Sequence, residues 1–179
     1  MPEIFPLLPA VPRNGERAQI ARPAGAGLAL ALVRLAASLR TQKRPLIVTC
    51  ADAQDVHHLS LEMAWFDPTL RVREFSDWET LPYDHFSPHP DLVSDRLKAL
   101  YALSTNTCDI LIVSATTATQ RLAPRSFVAA RTFALKKGQK LDVEKLRQQM
   151  TLGGYTHVTQ VVSQGEFAVR GGILDIYPT

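Results

Sequence analysis

The first two thirds of the chain alternate between apolar runs of helix length and apolar runs of strand length. An Ala- and Leu-rich run that begins at Gly27 predicts a helix covered on nearly all sides by other elements. The short β-branched run at 45–50 predicts a buried strand, and Asp52 suits the N-cap of a second helix that Pro68 closes. Residues 108–115 have the clearest buried-strand pattern in the chain. This alternation predicts an α/β fold in which helices cover both faces of a parallel sheet.

Residues 76–91 interrupt the alternation, between a predicted strand at 70–75 and a helix that begins at Pro90. The prolines at positions 82, 88 and 90 exclude a regular helix or a central strand. The segment is therefore expected to be an ordered loop with aromatic anchors.

The last third of the chain has shorter elements and more glycine. Residues 132–142 suggest a strand followed by a basic turn, and Asp142 is expected to cap a short helix that ends at a Gly-Gly pair. Strands are predicted at 157–162 and within 165–178, where two of them flank a second glycine pair.

We place a domain boundary near residues 124–131. Residues 1–127 then form an α/β domain, and residues 128–179 begin a second, smaller α/β domain. The second domain offers one good helix and a few strands, which makes it marginal on its own. We therefore expect the sequence to be a fragment that ends inside its second domain.

Composition and charge favour a globular protein of a reducing compartment. The net charge of +3 is small for a protein held mainly by phosphate contacts, so it gives little support to nucleic-acid binding. Cys50 and Cys108 flank apolar runs, as buried reduced thiols do. Prolines interrupt the N-terminal apolar residues, and the apolar run at 27–37 is far shorter than the roughly 20 residues that cross a bilayer. We expect a cytoplasmic protein without membrane contact.

The stretch that leads into the first helix has the outline of a phosphate-binding loop. Gly25 and Gly27 precede a helical run, as in loops that wrap nucleotide phosphates at a helix N-terminus. Such a loop needs a lysine to neutralise phosphate and a hydroxyl to complete a magnesium shell. This chain has Leu28 and Ala29 at those two positions. The loop is therefore interpreted as a helix entry without nucleotide chemistry, and no cofactor is predicted.

The histidines do not predict a metal site. His85 and His89 have Asp84 and Asp91 close by in sequence, and both residue types are good metal ligands. Pro88 separates the two histidines and Pro90 follows them, so no helical face brings their imidazoles together, and we interpret them as surface or loop-packing residues. No serine lies in a nucleophile-elbow motif and no cysteine has an obvious histidine partner. The sequence thus predicts no catalytic site.

Arg170 precedes the glycine pair at 171–172, at the expected tip of a strand pair. In the simpler interpretation, Arg170 is a solvated turn residue and the glycines allow positive backbone dihedrals. In the alternative, an arginine that projects from a rigid hairpin grips a carboxylate of a partner.

Residues 77–97 and 165–178 closely resemble the N-terminal part of the bacterial transcription-repair coupling factor (Mfd), a region similar to the excision repair protein UvrB. The two stretches read DWETLPYDHFSPHPDLVSDRL and GEFAVRGGILDIYP. The resemblance implies that residues 23–32 lie where UvrB carries a working phosphate loop, which here is a relic without nucleotide binding. Few residues separate Pro82 from Pro90, so the long DNA-threading hairpin of UvrB is expected to be absent.

By the same resemblance, the second domain retains the surface with which UvrB docks on UvrA. The arginine of the family's RG turn matches Arg170, and we include the flanking Phe167 and Gly171 in the predicted partner-binding site. UvrB often has a second arginine where this chain has Ala168, which removes one charged contact. RNA polymerase and DNA would be bound by other domains of the full protein. Two alternatives stay open, an ATPase or helicase fragment of UvrB type and a DNA-binding module.

Overall fold

The computed structural model describes residues 15–81, 83–126, 128, 135 and 137–178. The chain divides into two compact units: unit 1 is Met1–Phe75 with Thr105–Gln120, and unit 2 is Ser76–Ser104 with Arg121–Thr179. Half of the predicted domain boundary at 124–131 falls outside the described residues, so the division at 127/128 stays a prediction.

The helices and strands alternate through the first two thirds of the chain, as the hydrophobic pattern predicts. In chain order they are α1 (Gly27–Arg40), β1 (Leu46–Cys50), α2 (Ala53–Phe66), β2 (Val72–Phe75), α3 (Pro90–Ser104), β3 (Ile110–Ser114), α4 (Ala115–Ala118), α5 (Val143–Leu152), β4 (Thr156–His157), β5 (Glu166–Arg170) and β6 (Ile173–Ile176). Among the described residues, no helix combines the length and the apolar character needed to cross a membrane.

Unit 1 is built on a parallel three-stranded sheet in the order β1-β3-β2. Ile110 at the start of β3 is in register with Leu46 of β1 on one side and with Val72 of β2 on the other. All five residues of β3 are buried, as expected for a central strand covered on both faces. The predicted α/β class with a parallel sheet flanked by helices is therefore confirmed.

The helices α1 and α2 pack with β3 to form the core of unit 1. The buried members of this core are Ala29, Val33, Ala36, Val56, Leu59, Met63, Leu70, Ile110 and Ile112. Asp52 is the N-cap of α2, as predicted, because its Oδ1 accepts a hydrogen bond from the backbone N–H of Asp55 at 2.8 Å. The helix ends two residues before Pro68, which cannot continue it.

Among the described residues of the Pro-rich loop that precedes α3, one aromatic side chain, Trp78, is an anchor. The guanidinium carbon of Arg96 lies 4.0 Å from the ring centroid of Trp78, and Arg96 Nη1 donates to the backbone carbonyl of Ser76. The prediction that aromatic side chains anchor this loop is wrong for Tyr83 and Phe86, whose exposures are 103% and 79%. Tyr83 has a positive φ of 70° in a tight turn, and such turn positions lie at the surface, away from packing partners.

The small sheet of unit 2 has the order β4-β5-β6, with β4 and β5 parallel and β5 and β6 antiparallel. The helix α5 begins where predicted, because Asp142 Oδ1 accepts from the backbone N–H of Lys145 at 3.1 Å, and it ends at Gly153. The core of the small sheet consists of Leu146, Met150 and Phe167, with Tyr155, Val169, Leu174 and Ile176 packed against it.

The strand predicted at 157–162 is wrong beyond its first residue, because β4 comprises only Thr156 and His157. The carboxylate of Glu166 accepts hydrogen bonds from the backbone N–H groups of Val162 and Ser163, both at 2.8 Å. These bonds turn the chain instead of letting it continue along the sheet, and they lower the pKa of Glu166. Residues 132–134 and 136 lie outside the described residues, so the strand predicted at the start of 132–142 stays a prediction, while residues 137–138 form a turn where the basic turn is predicted.

Candidate functional site

The glycine loop before α1 lacks the groups that a phosphate-binding loop uses. Gly25 has a φ of 55°, and the N–H of Gly27 bonds to the carbonyl of Ala24 at 3.1 Å. Leu28 packs against the core of unit 1, and Ala29 is fully buried within it. Both positions therefore serve helix packing.

The Cys50 side chain lies at the end of β1 and is partly buried. Burial raises the pKa of the Cys50 thiol at the end of β1, and the carboxylates of Asp55 and Asp52 raise it further, while Arg22 lowers it. Cys50 and Cys108 are both free thiols, and Cys108 is buried as the sequence predicts, whereas Cys50 is only partly buried.

Two of the five histidines, His57 and His89, lie at the surface beside carboxylates. His89 Nδ1 is 3.4 Å from a carboxylate oxygen of Asp91, and His57 Nδ1 is 3.5 Å from Glu74. Within the described ranges, no group of three or more His, Cys, Asp or Glu side chains is arranged to hold a metal ion.

The β5–β6 hairpin separates two sets of side chains, because successive residues of a strand point to opposite faces. The set that includes Phe167 packs on α5. The other set forms what we call the outer face, which consists of Ala168, Arg170, Ile173, Asp175 and Tyr177. Ala168 is buried, whereas the other four are exposed or partly exposed. Ile173 and Tyr177 are large exposed hydrophobic side chains, so this face combines apolar surface with a charged pair.

Arg170 is fixed on the outer face by a cross-strand ion pair. Its Nη2 donates a hydrogen bond to Oδ2 of Asp175, which lies diagonally across the hairpin, since Arg170 is in register with Ile173. The Arg170 side chain remains 63% exposed, and only one of its five N–H groups needs to serve this bond. The guanidinium is therefore both oriented and accessible.

Phe167 does not lie with Arg170. Its side chain is 0% exposed, and its ring is 5.0 Å from that of His157, measured between centroids. The structure therefore corrects the predicted grouping: Phe167 supports the hairpin from the inside, whereas Arg170 and Gly171 are exposed. Phe167 and Arg170 are three positions apart in one strand, and an odd spacing places two side chains on opposite faces of a sheet.

The outer face also contains residues that the sequence analysis missed, namely Ile173, Asp175 and Tyr177. A signal for them was present, because a two-residue glycine loop fixes the register of a hairpin. That register places Asp175 opposite Ala168 and hence diagonal to Arg170.

Gly171 is required by the turn that holds this pair. It has a φ of 57°, whereas Gly172 lies outside the positive region, and a Cβ at either position would meet no atom within 4 Å. We expect Gly171→Ala to lower the free energy of unfolding by about 1 to 2 kcal/mol through backbone strain alone. The matched control Gly172→Ala should be neutral or slightly stabilising. Urea unfolding of both variants checks this, and equal stability would contradict the assigned strain.

The hairpin lies within a segment of the chain that matches a known domain family. Residues 133–179 match the family model described as the UvrB interaction domain. The chain is also 39% identical over 166 residues to the transcription-repair-coupling factor of Escherichia coli K12, an alignment that covers 93% of this chain and 14% of the relative. The corresponding protein of Haemophilus influenzae is 44% identical over 104 residues, which is 58% of this chain and 9% of the relative. That of Myxococcus xanthus is 29% identical over 172 residues, 92% of this chain and 14% of the relative.

These matches confirm the resemblance to the transcription-repair coupling factor that the two sequence motifs indicate. The similarity extends over nearly the whole chain, yet the chain spans only about 14% of the length of its Escherichia coli relative.

Proposed function

We propose that this chain is a non-catalytic docking module that binds UvrA through the outer face of its small sheet. The observation that supports this most is the position of the family match, because residues 133–179 include both strands of the β5–β6 hairpin and every residue of the outer face. In the full-length protein, the module would recruit UvrA to lesions where RNA polymerase has stalled. Contacts with RNA polymerase and DNA, and the use of ATP, would belong to other parts of that protein.

The composition of the outer face suits a protein interface. Arginine and tyrosine are enriched among the residues that contribute most to binding, and exposed aliphatic groups such as Ile173 supply apolar area around them. Asp175 already holds the Arg170 guanidinium in place, so less side-chain entropy is lost when a partner binds. A carboxylate on UvrA would share Arg170 with Asp175 through the remaining N–H groups.

The non-catalytic part of the proposal is supported by the glycine loop of unit 1. Leu28 and Ala29 occupy the places of the lysine and the hydroxyl, and both are taken up in core packing. A nucleotide-binding lysine and hydroxyl at these two positions would put polar groups where apolar side chains now stabilise α1. Titration of the chain with ATP and magnesium should therefore detect no binding in the micromolar range.

Arg170→Ala is expected to weaken UvrA binding by about 1 to 3 kcal/mol, the usual cost of removing a paired interface arginine. Binding of purified UvrA to the 179-residue chain, measured by biolayer interferometry, tests this. Arg147→Ala is the matched control, since Arg147 is also an exposed arginine in an ion pair, with Glu144 at 3.6 Å, but lies on α5. Equal affinities of the two variants would remove Arg170 from the interface and return it to the role of a turn residue.

A further inference from the structure

A second charged region of unit 1 lies at the opposite end of the sheet from the glycine loop. It is a cavity of about 420 Å³ where β2 and β3 begin and where α1 leads into β1. The residues that line it are Arg40, Lys43, Arg44, Arg71, Thr105, Asn106, Cys108 and Asp109. Four cationic side chains therefore surround one carboxylate.

The carboxylate of Asp109 is saturated by two of these cations. Its Oδ2 accepts hydrogen bonds from the backbone N–H and Nε of Arg71, both at 2.9 Å, and its Oδ1 accepts from Nη2 at 2.6 Å. Arg40 Nε lies 3.7 Å from the same Oδ1. The Asp109 side chain is only 3% exposed, so its charge is enclosed and offset within the cavity wall.

The other two cations, Lys43 and Arg44, extend from a backbone turn of defined geometry. The chain turns after α1 with Lys43 at a φ of 55°, and the N–H of Arg44 bonds back to the carbonyl of Leu39 at 3.2 Å. Both side chains are exposed, and neither has an ion-pair partner among the residues that the structure describes. This turn thus presents two cations that the carboxylate of Asp109 does not neutralise.

A purely structural role accounts for only part of this charge. Cations in the last turn of α1 offset the partial negative charge of a helix C-terminus, which is about half a unit. Hydrogen bonds from Thr69 lower the pKa of Asp67, and the nearby charge of Arg40 makes a smaller contribution in the same direction. The positive charge of the four cations therefore exceeds the negative charge of the two carboxylates and the helix end together.

We propose that this cavity is a binding site for a phosphate group, with Lys43 and Arg44 as its direct contacts. Arginine matches phosphate oxygens with paired donors, and lysine adds a point charge. Arg40 and Arg71 have N–H groups beyond those that Asp109 engages, so they face the same ligand from the cavity wall. The phosphate would come either from a nucleic-acid backbone or from a small free anion, and the site is independent of the UvrA proposal.

Two probes and two charge-matched variants test the site on the 179-residue chain. The cavity variant is Lys43→Gln with Arg44→Gln. The control is Arg34→Gln with Lys140→Gln, which removes the same charge from exposed positions outside the cavity. The probes are a short labelled DNA duplex, titrated by fluorescence anisotropy at several salt concentrations, and inorganic phosphate, followed by amide NMR shifts. Circular dichroism confirms that each variant is folded.

For a nucleic-acid phosphate, the slope of log affinity against log salt should fall by about two in the cavity variant and stay unchanged in the control. For a small anion, phosphate should shift the amides of residues 43–44 and 105–109 in the wild type and in the control but not in the cavity variant, while duplex titrations stay equal. Either result supports the site. Identical duplex curves for all three proteins, together with no amide shift at these residues, would overturn it.

Discussion

Replacing Phe167 with alanine is expected to lower the free energy of unfolding of unit 2 by about 3 to 5 kcal/mol, as for other fully buried phenylalanines. Phe167 is the largest of the fully buried side chains, and it joins β5 to Leu146 and Met150 of α5. A domain has a net stability of only about 5 to 15 kcal/mol, so a loss of this size in a small unit would leave little margin. Hydrogen exchange of residues 143–176, measured by mass spectrometry, should show the loss of protection.

Phe167→Leu separates a structural role from a direct contact. It retains most of the apolar volume and should cost less than about 1.5 kcal/mol, so the hairpin stays folded. UvrA binding should then match the wild type, because the ring of Phe167 is buried on the face opposite Arg170. Full exchange protection combined with weakened UvrA binding in this variant would show that Phe167 contacts the partner after all.

The elements of unit 1 were predictable because their signals are local. The apolar run after Gly27, the β-branched run at 45–50 and the cap at Asp52 each act within a few residues, and all three have the predicted structure. The same holds for Asp142 and α5 in unit 2. Local propensity and tertiary packing agree at these positions, which is why sequence pattern alone suffices.

The strand predicted at 157–162 shows where local patterns fail. Its β-branched residues favour an extended conformation, but the Glu166 carboxylate bonds to two backbone N–H groups that a strand would have used in the sheet. Likewise, an aromatic residue in a Pro-rich loop does not reveal whether apolar surface lies beneath it. Trp78 has Arg96 as a partner, whereas Tyr83 is exposed.

The candidate site was predictable in part. The glycine pair predicts a two-residue turn, and such a turn fixes the register of the two strands. Because side chains alternate between the two faces of a strand, the register then predicts which residues form the outer face. The charged cavity of unit 1 had no such signal. Arg71 and Asp109 are 38 residues apart and meet only because β2 and β3 are neighbours in the sheet.

Replacing Asp109 with asparagine is expected to lower the free energy of unfolding at neutral pH by about 2 to 3 kcal/mol, the range for hydrogen bonds to a charged group. The carboxylate joins the starts of β2 and β3 through Arg71, and a neutral amide at this position would accept fewer and weaker bonds. The cost stays below that of breaking a fully buried ion pair, because the side chains of Arg71 and Arg40 are 41% and 45% exposed and return to water. Asp95→Asn is the matched control, since Asp95 pairs with Lys98 at the surface and its loss should cost well under about 1 kcal/mol.

The stabilisation by Asp109 should also disappear in acid. The hydrogen bonds from the Arg71 side chain hold the pKa of the Asp109 carboxyl below its usual range in the folded state, against the opposing effect of burial. A carboxyl with a depressed folded pKa contributes fully above its unfolded pKa of about 3.9, and the contribution is lost as the pH falls through the folded pKa. The difference in unfolding free energy between the wild type and Asp109→Asn, measured in urea, should therefore be largest near neutral pH and shrink below about pH 4. A difference that stays constant down to low pH would mean that side-chain shape, and not the ionised carboxylate, stabilises this junction.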